Sequence, residues 1–380
     1  MKYRALGNTG IEVSEIGMGG EHLDGKPYEQ TKAAIDAALE AGVNIIDVFM
    51  PGDEIRGNIV KALGSRRKNV YIQGHIGSTD INQQYDISRD MPTVQKYFEN
   101  ILGHYGYIDL GMLFFIDSEE AYRDIFETDF AAYAQRLKEK GDIRHIGFSS
   151  HNPTIAKKVV ETGLPEMMMF SINPAFDLVP ADKEIFDVLD NGLEWDKVTG
   201  MDPERMELYR LCQQKGVGIT VMKTFGAGKL LSKEHSPFES PMSPVQCIHY
   251  ALTRPAVAST LIGFQTPEEV AEAMKYYTVN DESRDYSRVI SSLKNDFKGE
   301  CVYCNHCLPC PSEIDIAALT KYLDIARLDE ENIPPSIKSH YNALLAHGSD
   351  CIECGSCMEK CPFSVEVIGN MKDADRIFGL

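Results

Sequence analysis

Short apolar runs rich in β-branched residues alternate with amphipathic stretches through most of the chain. The runs are Glu15–Met18, Val43–Val48, Val70–Gln73, Asp109–Ile116, Ile143–Phe148, Met167–Ile172, Val217–Met222 and Val257–Ile262. Polar stretches with helical spacing separate them, among them Glu29–Ala41 and Ala121–Lys140. A run of four to eight apolar residues bounded by helices predicts a buried parallel strand, covered on both faces. Eight such strands, each followed by a helix, over roughly 250 residues predict an α/β fold of the (β/α)8 TIM barrel type. A doubly wound open sheet is the alternative, but no early GxGxxG turn supports its dinucleotide-binding form. Met1–Ser14, with Asn8-Thr9-Gly10 as its turn, is expected to form a hairpin under the barrel floor. The irregular segment Asp182–Pro203 follows the sixth run. It reads as a lid over the catalytic face or as a solvated insertion.

The cysteines divide the chain. Only Cys212 and Cys247 precede residue 300, whereas eight fall between Cys301 and Cys361. This shift places a barrel over 1–280, a helical linker over 281–298 and an α-helical two-cluster ferredoxin-like module over 299–380. Ten cysteines without a secretion signal indicate metal or redox chemistry in a reducing, cytoplasmic setting rather than disulfides.

Two cysteine runs carry the strongest chemical signal. One is Cys301-x2-Cys304-x2-Cys307-x2-Cys310-Pro311; the other is Cys351-x2-Cys354-x2-Cys357-x3-Cys361-Pro362. The second has the bacterial ferredoxin spacing, and the first is one residue shorter before its last cysteine. A cubane needs four converging thiolates, and a loop with a cysteine at every third position supplies three. In two-cluster ferredoxins the fourth cysteine of each run serves the other cluster. The expected sets are Cys301, Cys304, Cys307 and Cys361 for one [4Fe-4S] cluster, and Cys351, Cys354, Cys357 and Cys310 for the other. Structural zinc is the alternative, but it leaves the third cysteine of each tight run unexplained.

Charge narrows the partners. Lys and Arg number 38 against 57 Asp and Glu, a formal charge of −19. Such a field repels phosphate backbones and argues against nucleic acid. The module holds six basic and thirteen acidic side chains. That balance favours low reduction potentials and suits docking of a redox partner protein such as a ferredoxin. The longest apolar stretch, near Leu110–Ile116, is far short of the ~20 residues of a membrane span.

The barrel resembles the aldo-keto reductases. Gly141-Asp-Ile-Arg-His-Ile-Gly-Phe-Ser149 is similar to that family's fifth strand, and Val43-Asn-Ile-Ile-Asp47 to its second. Ile219–Lys229 and Leu261–Glu269 are similar to its seventh and eighth, and the cysteine module resembles the branch with a ferredoxin-type domain. The resemblance implies NAD(P)H and an Asp–Tyr–Lys–His tetrad. Asp47 occupies the Asp position, but Phe49–Arg56 offers no Tyr, His75 stands at the Lys position and Phe114 or Phe115 at the His position. An Asp47–His75 pair is therefore the expected catalytic acid–base unit. The resemblance places Ser149, Ser150, His151 and Asn173 around a nicotinamide carboxamide. Lys223, Gly226, Gly228 and Gly263 are expected near cofactor phosphates. Thr266 and Glu269, with Glu268 and Glu272, favour NAD(H) over its 2′-phosphorylated form. The same glycines suit FMN, which would join one-electron clusters to two-electron chemistry. Glu54 and Arg56 read as mouth-lining residues or as a salt bridge at a helix start. The expected function is an iron–sulfur oxidoreductase acting on a small organic substrate. An electron carrier or redox sensor with a lapsed barrel is the alternative.

Overall fold

The computed structural model describes residues 1–81, 86–179, 201–291, 299, 301, 303–304, 306–327, 330–331, 333 and 335–379. The Asp182–Pro203 loop lies outside the described residues up to residue 200.

Eight parallel strands close into a barrel. They are β1 (Ile16–Gly19), β2 (Ile45–Val48), β3 (Tyr71–Ile76), β4 (Ile108–Leu113), β5 (Ile143–Ser150), β6 (Met167–Ser171), β7 (Gly218–Met222) and β8 (Val257–Ile262). Each pairs with the next in chain order, and β8 pairs with β1. Of their 44 residues, nearly all are buried, as apolar strands between a filled barrel and a helical ring must be. A fully buried Ile such as Ile45, Ile72 or Ile219 contributes about 2 kcal/mol. The outer helices used below are α1 (Tyr28–Glu40), α2 (Asp53–Leu63), α3 (Met91–Tyr105), α4 (Glu119–Phe126), α5 (Phe130–Lys140), α6 (Pro153–Glu161), α7 (Pro203–Lys215), α8 (Pro244–Thr253) and α9 (Pro267–Met274).

The strand boundaries differ from the sequence reading in instructive places. β3 runs on to Ile76, so His75 lies within a strand. β4 stops at Leu113, because Phe115 turns to a positive φ of 58° and breaks the ladder. The single helix expected over Ala121–Lys140 is two, α4 and α5. The Thr128 hydroxyl bonds the Asp124 carbonyl and also accepts from the Phe130 N–H at 3.3 Å, which competes with helix continuation.

The N-terminal hairpin is present. Tyr3–Ala5 pairs antiparallel with Glu12–Ser14, and the Leu6 N–H donates to the Ile11 carbonyl at 2.8 Å. It closes the floor: the Asn8 N–H donates to Gly216 O at 2.8 Å. A Cβ on Gly7 would stand 2.3 Å from that same carbonyl oxygen, at a φ of +54°.

The C-terminal module is built from α10 (Ile316–Ala326), α11 (Pro335–Asn342), a one-turn helix at Ser356–Lys360 and α12 (Val367–Phe378). Its buried residues join the outer barrel helices in one hydrophobic cluster. Arg210 on α7 faces Asp324 on α10 at 3.9 Å, and His306 is hydrogen-bonded to Asp285.

Candidate active site and cluster cradles

The Asp47–His75 pair forms. Asp47 ends β2 opposite Gln73, and β3 carries His75 two residues further along. His75 Nε2 lies 2.7 Å from Asp47 Oδ1; the residues are 3% and 2% exposed. The Gln73 amide donates to the same oxygen at 2.7 Å, and its carbonyl accepts from Thr220 Oγ1 at 3.0 Å. A carboxylate that accepts at Nε2 fixes the proton there and leaves Nδ1 as the basic nitrogen. Nδ1 is buried and has no hydrogen-bond partner among the described residues. Phe114 packs edge-on to the imidazole at 5.1 Å, and Phe49 lies at 6.0 Å. An apolar wall with one unsatisfied nitrogen is suited to exchanging a proton with a bound substrate.

A second histidine–carboxylate pair, missed in the sequence, lies nearby. His151 Nδ1 is 2.8 Å from Asp117 Oδ2, the His151 N–H donates to Oδ1 at 2.6 Å, and the Ser150 hydroxyl donates to Oδ1 at 2.9 Å. Burial works to raise the Asp117 carboxyl, but the charge and hydrogen bonds of His151 outweigh it and hold it below its ordinary value. Asp117 follows the apolar run Phe114–Ile116, and a lone Asp at a strand end was the only available signal.

The expected cofactor residues divide into free and committed groups. Ser149 Oγ accepts from the Phe115 N–H at 2.9 Å. The Asn173 amide donates to Lys223 O at 2.8 Å and its carbonyl accepts from Phe176 N–H at 2.9 Å. Both side chains thus brace the strand ends, where Phe115 and Lys223 hold positive φ values of 58° and 59°. Buried hydroxyls of Ser171 and Thr224 have no partner there. Gly226 and Gly228, at φ +57° and +84°, curl the loop after β7, and a Cβ on Gly228 would meet nothing. A Cβ on Gly263 would collide with the His22 ring at 2.0 Å, so His22 lies against that backbone. Thr266 caps α9, accepting from the Glu269 N–H at 3.3 Å, and the Glu269 carboxylate accepts from Gln265 N–H at 2.6 Å. Space beside Gly228 and the unpartnered hydroxyls remain for a bound group, whereas Ser149 and Asn173 are already engaged. Arg56 is 1% exposed and donates to Met50 O, Tyr97 O and Asn100 Oδ1, which makes it a structural clamp between α2 and α3.

A buried polar chain leads from these strand ends toward the module. Arg205 donates to His151 O at 3.2 Å and Ser171 O at 3.0 Å, and lies 3.6 Å from Asp177. Tyr209 and Tyr250 donate to the two oxygens of Asp177 at 2.6 and 2.7 Å. Burial, then the Asp177 charge, pushes both phenols well above their ordinary range, so they remain donors. Arg254 stacks on Tyr250 at 4.3 Å and donates to Tyr286 Oη at 3.1 Å. Arg254 also lies over the ring of Tyr303, between Cys301 and Cys304, at 5.1 Å.

The cysteines lie in two neighbourhoods, one around Cys301, Cys304 and Cys307 and one around Cys351, Cys354 and Cys357. Burial pushes Cys301 and Cys304 up to about 12, and the charges that add to it include Cys361 in both cases. Cys307 feels Cys301, Cys304 and Cys361, whereas Cys357 feels Cys351 and Cys354. Cys310 lines a small cavity with Cys351, Cys354 and Cys357. The two runs repeat one backbone shape. Tyr303 and Glu353, each just before the second cysteine, have φ of 59° and 52°; Glu313 and Ser364, each three after the last, have 56° and 52°. Among the described residues no three His, Cys, Asp or Glu side chains converge tightly enough for a single ion. A cubane holds its thiolates further apart than one zinc does, so this donor set fits clusters.

Fold, strand-end acid–base pairs and paired cysteine cradles together define an iron–sulfur oxidoreductase of the (β/α)8 class. The chain belongs to the aldo/keto reductase family: the family model "Aldo/keto reductase family" matches residues 15–246. A "4Fe-4S dicluster domain" matches residues 300–366. The chain is similar to L-galactose dehydrogenase of Arabidopsis thaliana, at 23% identity over 72% of this chain and 86% of that protein. It is similar to the uncharacterized oxidoreductase YqkF of Bacillus subtilis, at 24% over 72% and 90%. The fold is that of the aldo-keto reductase AKR11C1 from Bacillus halodurans, at 21% identity and a TM-score of 0.58, covering 77% of this chain and 96% of that one.

Proposed function

We propose that this protein couples one-electron transfer through two [4Fe-4S] clusters to oxidation or reduction of a small organic substrate at the barrel mouth. The observation that carries the reading is the buried chain Tyr303–Arg254–Tyr250–Asp177–Arg205–His151, which runs from the loop bearing Cys301 and Cys304 to the strand ends. The proposed ligands are Cys301, Cys304, Cys307 and Cys361 for the proximal cluster, and Cys351, Cys354, Cys357 and Cys310 for the outer one. Cys354 is exposed, which makes the outer cluster the entry point for a redox partner protein such as a ferredoxin. Bound clusters supply single electrons. His75, its tautomer fixed by Asp47, exchanges the substrate proton at Nδ1. Phe49 and Phe114 exclude water from that nitrogen.

Between one-electron clusters and two-electron substrate chemistry a converter is required. NAD(H) is the favoured one, supported by family membership and by the acidic residues Glu268, Glu269 and Glu272 near Thr266. FMN is the second reading, favoured by the glycine loop Gly226–Gly228, which is open at Gly228. Among the described residues no helix is long and apolar enough to cross a membrane, and a cytoplasmic location is proposed. Anaerobic titration of the purified holoprotein with NADH tests the reading. Cluster bleaching in proportion to NADH is expected. No bleaching, with neither nicotinamide nor flavin bound, would favour a carrier or sensor over an enzyme.

A further inference from the structure

A second cavity, of about 650 Å³, lies on the opposite face from the strand ends, between the barrel floor and the cluster module. The barrel contributes the hairpin (Arg4, Asn8, Glu12) and the starts of β7 and β8 (Val217, Val257); the module contributes Tyr303 and α10, including Lys321 and Tyr322. Its volume is that of a small-molecule site.

The walls are cationic in a chain of net charge −19. Arg4, Arg254 and Lys321 line the cavity with His249 and His340. Two carboxylates, Glu12 and Asp315, also line it. Glu15 holds Arg4 at 2.8 Å, and Asp315 caps α10 by accepting from the Ala318 N–H at 3.1 Å. The Lys321 ammonium has no hydrogen-bond or carboxylate partner among the described residues; the ring centre of Tyr322 lies 5.2 Å away. Burial, then the Arg4 charge, pushes Lys321 down to about 7. Burial and the charges of Arg284, Arg254 and Arg4 push His249 down to about 3, so it serves as a neutral hydrogen-bonding wall. Among the described residues Lys321 has no ion pair of its own, so the half-buried ammonium is open to an anion entering the cavity. Tyr322, partly exposed, adds a planar face on which a ring stacks readily.

We propose that this cavity binds a nucleoside polyphosphate, with its phosphates on Lys321 in the field of Arg4 and Arg254 and its base against Tyr322. Such a ligand touches both barrel and module, and Arg254 also belongs to the buried chain that reaches His151. The site is therefore placed to tie module docking to an energy-carrying nucleotide.

Isothermal titration calorimetry of the anaerobic holoprotein with ATP and, separately, with pyrophosphate tests this. Both are expected to bind, and Lys321→Gln is expected to weaken both at least tenfold while iron content and visible spectrum stay unchanged. Tighter binding of ATP than pyrophosphate, with the surplus lost in Tyr322→Leu, would identify the nucleotide as ligand. Equal binding would identify the polyphosphate alone and overturn the base contact. Absence of binding by either probe at millimolar concentration, or Lys321→Gln binding as tightly as the parent, would overturn the site.

Discussion

His75 and Asp47 face each other because adjacent parallel strands bring their ends into register, and burial turns that proximity into chemistry. In water the pair would be a weak contact; at 1–2% side-chain exposure the carboxylate has few other partners and fixes the imidazole proton. Replacing His75 with Ala is expected to reduce turnover about a hundredfold to ten-thousandfold with the cluster spectrum intact. Normal turnover would remove His75 from the proposed chemistry. Asp117 makes a pH prediction. Its carboxyl is held below the ordinary value in the folded chain, so its ionised form stabilises the fold at and above the unfolded value of 3.8. That contribution is lost as pH falls through the lower folded value. Denaturation midpoints should therefore show Asp117→Asn less stable than the parent at pH 7, with the gap narrowing only in strong acid. A gap that vanishes already at pH 6 would contradict this.

At the scale of elements, loops carry the unusual backbone. The hairpin fits under the barrel because Gly7 adopts a φ of +54° against Gly216 O. Gly7→Ala adds both strain and a 2.3 Å clash, and a loss of about 2 kcal/mol or more in thermal unfolding is expected. The two cysteine loops share left-handed residues at matching positions, a shape that a sequence spacing cannot reveal. The proposed crossed ligation makes a testable asymmetry. Cys354→Ala should halve the iron content by removing the outer cluster and loosen the loop around it. Cys361→Ala should instead disturb the proximal cluster, although Cys361 belongs to the same run. Identical spectra for the two variants would refute the crossed sets.

For the whole molecule, the decisive feature is how the module meets the barrel. Asp177, fully buried, accepts from Tyr209 and Tyr250 and faces Arg205, so it gathers helices α7 and α8 around the strand ends. Asp177→Asn leaves a buried guanidinium without its counter-charge, and a loss of about 3–5 kcal/mol in denaturant unfolding is expected. A loss below 1 kcal/mol would mean the chain of contacts is not a structural unit. The alternation of apolar runs and helices determined a parallel sheet covered on both faces, and the count of eight pointed to the barrel; closure itself belongs to the tertiary structure. The cysteine spacing likewise determined the cluster chemistry, because thiolate number and separation are local properties of the chain. His75 and Asp47 were legible from the family resemblance, which put both near the ends of adjacent strands, although β3 runs past the end read from the sequence. Tertiary structure alone decided the rest. Asp117 with His151, Asp177 with Arg205 and Tyr250, and Lys321 above the hairpin join residues far apart in the chain. Their meaning comes from shared burial, and burial of a charge acquires a consequence only when the fold has chosen what surrounds it.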